Sequence, residues 1–258
     1  MSTDPTRRFS TRVADYVRFR PRYPAAVIDL LRSEMGLQPT HVIVDVGSGT
    51  GFLSELFLDQ GYRVFGVEPN AEMRAAGEQL LAARPDFTSV AGTAEATTLD
   101  PQTADFVVAG QAFHWFKPAE ARREFQRLLR PSGWVVLVWN DRKDHASGVY
   151  GAYEQIILDF RTDAAADKRM LFSKDSAELA AFFAPQPVIH RVVPGVTQEF
   201  DFSGLLGRML SSSYAPQPGH PRHEPMVAAL RRLFDEHQQD GKVRFEHVTE
   251  IYFGRLGN

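Results

Sequence analysis

From His41 onward the chain alternates two patterns of apolar positions. VIVDV (42–46), YRVFGV (62–67), FTSVAG (87–92), ADFVVAG (104–110) and WVVLVWN (134–140) are short, nearly continuous apolar runs, as expected of strands covered on both faces. Between them, SELFLDQG (54–61), NAEMRAAGEQLLAAR (70–84) and PAEARREFQRLLR (118–130) carry apolar residues at helical spacing. Gly61 closes the first of these helices, and Asn70 caps the second with Glu72 in its first turn. PSG (131–133) reads as a turn. Strand and helix in that rhythm predict parallel strands with crossover helices, hence an open α/β sheet. Ligands of such sheets lie at the carboxyl ends of strands, where strand order reverses.

After Asn140 the rhythm changes. GVYGAYEQIILDFR (148–161) and SAELAAFFA (176–184) read as helices, and IHRVVPGVTQEFDF (189–202) as a strand. Helical stretches near 203–213 and 222–238 flank the loop-rich APQPGHPRHEP (215–225), and VRFEHVTEIYFGRL (243–256) is the best strand pattern in this half. No fixed-period repeat or low-complexity tract appears, which excludes a solenoid.

The strand 42–46 runs straight into GSGTG. Gly47 lets the chain leave the strand at an unusual dihedral, while Gly49 and Gly51 make room for a ligand or for close helix–strand packing. The spacing is GxGxG rather than GxGxxG, with Phe52 and Leu53 following Gly51, so the pyrophosphate signature is incomplete. Glu68 ends the second strand in GVEPN, where a carboxylate can accept both hydroxyls of a ribose. The plainer alternative is an exposed strand-end Glu or a helix N-terminal charge.

Bulk properties narrow the classes. The 258 residues suffice for one substantial core. With 43% hydrophobic and 24% charged residues, wholesale disorder is excluded. A net charge of −3 with dispersed basic residues argues against nucleic acid as partner. The absence of cysteine removes disulfides, thiolate metal sites and a cysteine nucleophile. No secretion signal and no run of ~20 apolar residues is present, so the expected location is the cytoplasm, without membrane insertion.

VDVGSGTG followed by GVEPN resembles the class I S-adenosylmethionine-dependent methyltransferases. VAGTAEATTL (90–99), ADFVVAGQAFHWF (104–116) and LLRPSGWVVLVWN (128–140) resemble that family's later segments in order, and FSTRVADYVRFRPRYP (9–24) with SSSYAP (211–216) is similar to its small-molecule branch related to trans-aconitate methyltransferases. The resemblance implies a doubly wound, mostly parallel seven-stranded sheet (a Rossmann-like methyltransferase fold) with a helical cap. It implies S-adenosyl-L-methionine as cofactor, S-adenosyl-L-homocysteine as product, and a small-molecule acceptor such as a carboxylic acid or hydroxyl compound, in a monomer or homodimer. Within one compact domain, residues 1–35 would be a lid arm and first helix, and 36–140 the cofactor-binding core. Residues 141–240 would shape the acceptor pocket, and 241–258 would form the last strand.

The same resemblance distributes roles. Asp45 with Gly47, Ser48, Gly49 and Gly51 would hold the methionine end of the cofactor, and Glu68 and Pro69 the ribose. Thr93, Ala94 and Glu95 would border adenine, with Thr93 standing where many relatives carry Asp. Met73 would touch the ribose edge or adenine, and Gln111 would lie beside the sulfonium. Tyr16 and Arg20 would close over the cofactor's carboxylate. Met73 and Tyr16 also fit plain core packing, and Arg20 also fits a solvated run with Arg18 and Arg22. In FHWF (113–116), Phe113 and Phe116 read as packing, while His114 and Trp115 face the acceptor and His114 could orient or deprotonate it. His220 and His223 form a close pair without an acidic companion motif, so no metal is expected. Two other readings stay open: a binding protein that senses the cofactor without turnover, and an NAD-dependent dehydrogenase, which the glycine spacing disfavours.

Overall fold

In the computed structural model, which describes residues 17–142, 148–162, 177–212 and 214–257, every apolar run of the first half is a strand. Helix α1 (Ala26–Met35) leads into β1 (Val42–Val46), α2 (Phe52–Leu58), β2 (Arg63–Val67), α3 (Ala71–Leu80), β3 (Phe87–Val90) and β4 (Ala104–Gly110). A 3-10 turn (Phe113–Trp115), α4 (Pro118–Leu128) and β5 (Leu129–Arg142) follow. The second half adds α5 (Gly148–Phe160), α6 (Ala177–Phe183), β6 (Ile189–Phe200), α7 (Phe202–Leu210), α8 (His223–His237) and β7 (Val243–Gly254).

The strands form one seven-stranded sheet of order β3-β2-β1-β4-β5-β7-β6. β1 to β5 pair in parallel, and β7 and β6 close the sheet antiparallel. β1 pairs with β2 on one side and β4 on the other, so strand order reverses between β1 and β4. That junction is where an open sheet of this kind offers a crevice.

Alternation along each strand divides the core. Ile43, Val64, Phe106 and Val136 pack one face against Val27, Ile28 and Leu31 of α1 and Leu53 and Phe57 of α2. Val44, Val107, Val135 and Leu137 pack the other against Ala121, Phe125 and Leu128 of α4 and Phe182 and Phe183 of α6. A third cluster joins Tyr153 and Ile157 of α5, Leu205 and Met209 of α7, and Leu230 and Leu233 of α8 to Phe200 and Phe245, at the ends of β6 and β7. Residues 141–240 therefore divide: α6 and β6 belong to the sheet layers, while α5, α7 and α8 build a cap with its own core.

Several local expectations shift. Helix α2 starts at Phe52 rather than Ser54, directly on Gly51, whose φ of 86° makes the turn. The strand expected over 87–92 stops at Val90, and the helix over 70–84 stops at Leu80. PSG does not precede β5 but bulges within it: the register jumps from Ala104–Leu129 to Phe106–Trp134, and Ser132 takes a φ of 69°. Asn70 caps α3 as expected, its Oδ1 accepting from Met73 N–H at 2.8 Å.

Candidate functional site

The glycine loop is bent back by the strand beside it. Gly47 and Ser48 N–H both donate to Val67 O, at 2.9 and 3.1 Å. The three glycines differ in what they make room for. A Cβ on Gly49 would meet only the flexible end of Met73, at 3.3 Å, and its φ is 57°. A Cβ on Gly51 would lie 2.7 Å from Leu81 Cδ1, so this glycine clears space for α3 packing on α2. Gly47 and Gly49 line the cleft at the β1–β4 junction, and Gly51 does not. Of the two roles read for Gly51 in the sequence, the structure places it in packing.

The cleft has two chambers that meet at Gly47, Gly49, Gly110, Gln111 and Trp115. One is lined by Glu68, Pro69, Met73, Thr93, Ala94 and Glu95, with Ala112 and Phe116. Glu68 is buried, which removes the exposed strand-end reading but leaves it a carboxylate beside the N-cap of α3. Its Oε1 accepts from Asn70 N–H at 2.8 Å and its Oε2 from Gly49 N–H at 2.9 Å. Each carboxylate oxygen can accept a further bond. Burial pushes its pKa up, against the lowering effect of those two N–H groups. Thr93 closes a tight bridge with Ala96, and its Oγ1 accepts from Glu95 N–H at 3.3 Å. Glu95 in turn accepts Lys117 N–H at 2.8 Å at the start of α4, so part of its carboxylate is committed to a helix end.

The other chamber is lined by Asp45, Ser48, Thr50 and Phe52 from the β1 side, His114 from the 3-10 turn, and Asn140 from β5. Asp45 is fully buried, and its Oδ2 accepts from Ser54 Oγ at 2.7 Å. Among the described residues, Asp45 Oδ1 and the buried Thr50 Oγ1 have no hydrogen-bond partner. A buried, unsatisfied carboxylate oxygen is costly, and burial raises this carboxyl to about 7. Polar atoms left open at the floor of a cavity suit a ligand that completes them.

Gln111 follows β4 with a φ of 55°, rare for a non-glycine residue. Its side chain donates to Asn140 O at 2.8 Å, and Asn140 accepts Thr249 Oγ1 at 2.7 Å and donates to Arg22 O at 3.1 Å. His114 and Trp115 face the cleft with ring centroids 4.8 Å apart. Phe113 packs edge-on against Phe182, and Phe116 against Phe125, as the sequence suggested, although Phe116 also borders the first chamber.

The wall is completed from a distance in sequence. Arg20, Pro21 and Tyr23 of the N-terminal arm and Arg208 and Tyr214 of the cap line the second chamber. Arg20 donates from Nε to Ser211 Oγ at 3.1 Å and from Nη2 to Ser211 O at 3.3 Å and Ser212 Oγ at 3.1 Å. The solvated reading of Arg20 is thus replaced by a fixed one. Tyr16 lies outside the described residues. Among those residues, no group of three His, Cys, Asp or Glu is placed to hold a metal ion, and no helix is long and apolar enough to cross a membrane.

Thr50, Tyr23, Asn140, Arg208 and Tyr214 were not singled out from sequence. Arg208 did carry a signal. It shares the buried face of α7 with Leu205 and Met209, so a charged residue sits in an apolar stripe.

Comparison with known proteins agrees with this geometry. Residues 44–137 match the family model of a methyltransferase domain. An uncharacterised methyltransferase of Mycobacterium tuberculosis is 38% identical over 146 residues, 57% of each chain. The chain therefore spans a little over half the length of that relative. A candidate type II methyltransferase of Anaeromyxobacter dehalogenans superposes with a TM-score of 0.60 at 23% identity, over 93% of this chain and 100% of that one. Phosphoethanolamine N-methyltransferase 2 of Haemonchus contortus, solved with phosphomonomethylethanolamine and S-adenosylhomocysteine, superposes with a TM-score of 0.56 at 13% identity, over 96% of this chain and 58% of that one. These likenesses to solved structures show a Rossmann-like methyltransferase fold.

Proposed function

We propose that the chain is an S-adenosylmethionine-dependent methyltransferase acting on a small-molecule acceptor, a carboxylic acid or a hydroxyl compound. The observation that carries this reading is the two-chambered cleft at the β1–β4 junction. A buried carboxylate, Glu68, lines one chamber, and a second, Asp45, has an oxygen with no partner among the described residues in the other. An adenosyl amino acid fits such a cleft end to end. Glu68 would accept the ribose hydroxyls, Pro69 and Met73 would pack the sugar and base, and Thr93, Ala94 and Glu95 would border adenine. Asp45, Gly47, Ser48 and Gly49 would take the amino-acid end, Arg20 its carboxylate, and Gln111 would stand at the chamber boundary near the sulfur.

When bound, the cofactor supplies an electrophilic methyl group on a positively charged sulfur. The chain's own part is positioning. Trp115 lies at the chamber boundary and offers an aromatic wall to a dispersing positive charge. The arm and α7 cover the chamber and exclude water. His114 is placed to orient an acceptor hydroxyl or hold its proton; a carboxylate acceptor is already ionised and would need only orientation.

Isothermal titration tests the reading. S-adenosylhomocysteine should bind and NAD should not. Methyl gain, followed by mass on a panel of acids, phenols and amines, should then appear with cofactor alone and no added metal. Binding of NAD instead would overturn the cofactor assignment, and cofactor binding without turnover on any acceptor would leave a sensor.

A further inference from the structure

Resting on the reading of the cleft as an adenosyl-binding site, we propose that Glu124 of α4, held by Arg127, is a positioning residue for recognition of the base. It clasps the 92–97 turn so that the cleft takes adenine and refuses a base with the opposite hydrogen-bond pattern. Glu124 itself lines neither chamber. The turn it holds is tight. Thr93 N–H donates to Ala96 O at 3.0 Å and Ala96 N–H to Thr93 O at 3.2 Å. A Cβ on Gly92 would lie 2.8 Å from Thr97 O, so the entry of the turn is folded directly onto its exit. Ala94 and Glu95, at the tip, line the chamber assigned to the base.

Helix α4 grips this turn twice. At the helix start, Lys117 N–H donates to Glu95 Oε1 at 2.8 Å. Further along the helix, Glu124 Oε1 accepts from Thr97 N–H at 2.9 Å and from Thr97 Oγ1 at 2.5 Å. Arg127 fixes that carboxylate, donating from Nε to Oε2 at 2.7 Å and from Nη2 to Oε1 at 2.6 Å, and its Nη2 also reaches Leu99 O at 2.7 Å. Between the two anchored residues, Thr98 has a φ of 66°, an outlier for a β-branched residue. Such a backbone persists only where its surroundings impose it, and here Glu124 and Arg127 hold the residue on either side. Glu124 and Thr97 are both buried, so water competes little for their bonds. Burial acts to raise the Glu124 carboxyl, but the bonds from Arg127 and Thr97 hold it at about 2, and the clasp stays charged at any working pH. Adenine carries a donor amino group beside an acceptor ring nitrogen, and hypoxanthine reverses both. Only a wall whose own donor and acceptor are fixed can tell these bases apart. Ala94 N–H and the second oxygen of Glu95 are such a pair, on adjacent residues of the clasped turn.

The test measures, by calorimetry, the affinities of S-adenosylhomocysteine and S-inosylhomocysteine, which differ only on that edge of the base. A general loss of folded protein weakens both ligands alike and cancels in their ratio. Wild-type protein should prefer S-adenosylhomocysteine at least about tenfold. Glu124→Ala should bring the preference below about threefold, and Thr97→Val, which keeps the Glu124–Arg127 pair, should reduce it at least about threefold from wild type. Thr97→Ser, which keeps the hydroxyl, should leave it within about twofold of wild type. Urea unfolding checks that each variant folds, and Thr97→Val carries the test if Glu124→Ala does not. The inference is overturned if the folded variant keeps the full preference, since Glu124 would then brace the fold alone. Equal binding of the two ligands by wild-type protein overturns it as well. If wild-type protein does not bind S-adenosylhomocysteine at all, the methyltransferase reading falls and takes this inference with it.

Discussion

Two buried carboxylates carry opposite burdens. Glu68 is satisfied on both oxygens by the N–H groups of Gly49 and Asn70, yet each oxygen retains a site for a hydroxyl. Glu68→Gln keeps the shape but exchanges a charged acceptor for an amide. S-adenosylhomocysteine should bind about 1–3 kcal/mol more weakly by calorimetry, and an unchanged Kd would take Glu68 out of the ribose site. Asp45 is different because Oδ1 has no partner among the described residues and burial raises its carboxyl from 3.8 to about 7. Between these values the folded chain holds a proton that the unfolded chain has released. Stability contributed by this group therefore falls as pH rises from about 4 to about 7, by up to about 4 kcal/mol at the upper end. Asp45→Asn removes that loss while still accepting from Ser54, so the variant should show the higher urea midpoint at pH 8 and no advantage at pH 4. The same variant should bind S-adenosylhomocysteine more weakly, because an ammonium beside Asp45 needs the ionised form. Wild-type binding should accordingly release protons near pH 6 to 7 and tighten toward pH 8. A wild-type midpoint that is flat from pH 4 to 8, together with equal binding by the variant, would show that Asp45 is neither strained nor used.

At the level of elements, the glycine loop separates what the fold needs from what a ligand needs. Gly49→Val would place its side chain in the cleft, against only the end of Met73, and would cost about 1–2 kcal/mol for its left-handed backbone. The protein should fold by circular dichroism and lose cofactor binding. Gly51→Val meets Leu81 in the core, adding about 1–3 kcal/mol of overpacking to the same backbone strain. Its thermal midpoint should be clearly the lower of the two, and a reversed order would contradict the division of roles. The strands were legible because buried parallel strands are continuous apolar runs, and Asn70 was legible because capping is local chemistry. The bulge in β5 was not, because PSG is a turn signature and only pairing with β4 keeps the chain in the sheet. The first chamber was also legible, since its residues come from contiguous segments at strand ends. The second was only half so: Asp45 and His114 sit in such segments, but Arg208 and Tyr214 reach the chamber from the cap, where α7 packs on α8 and β6. No pattern along the chain encodes that packing.

The whole molecule brings the N-terminal arm across the sheet to the cap, and this sets the last prediction. The described part of the arm is held at several points: Gln198 donates to Phe19 O at 3.1 Å, Asn140 to Arg22 O at 3.1 Å, and Arg20 grips Ser211 and Ser212. Arg22 pairs with Glu55 and lies over the ring of Phe52, and Phe19 sits on Gly207, where any side chain would collide with it. The described part of the arm thus ties β5, β6, α2 and α7 together over the second chamber, and it precedes α1. A segment held by side-chain bonds at its edge opens at lower cost than the sheet does. If it closes over the cofactor, occupancy should deepen its protection. Trypsin should cut after Arg18 and Arg22, the Arg20–Pro21 bond being resistant, and saturating S-adenosylhomocysteine should slow both cuts several-fold. Deleting residues 1–20 removes Phe19 and Arg20 while leaving α1 and every described strand intact. The truncated chain should keep its sheet by circular dichroism, bind S-adenosylhomocysteine about tenfold more weakly, and lose most of its turnover. Equal cleavage rates with and without S-adenosylhomocysteine, with full activity after truncation, would mean that the arm braces the cap and does not serve the site.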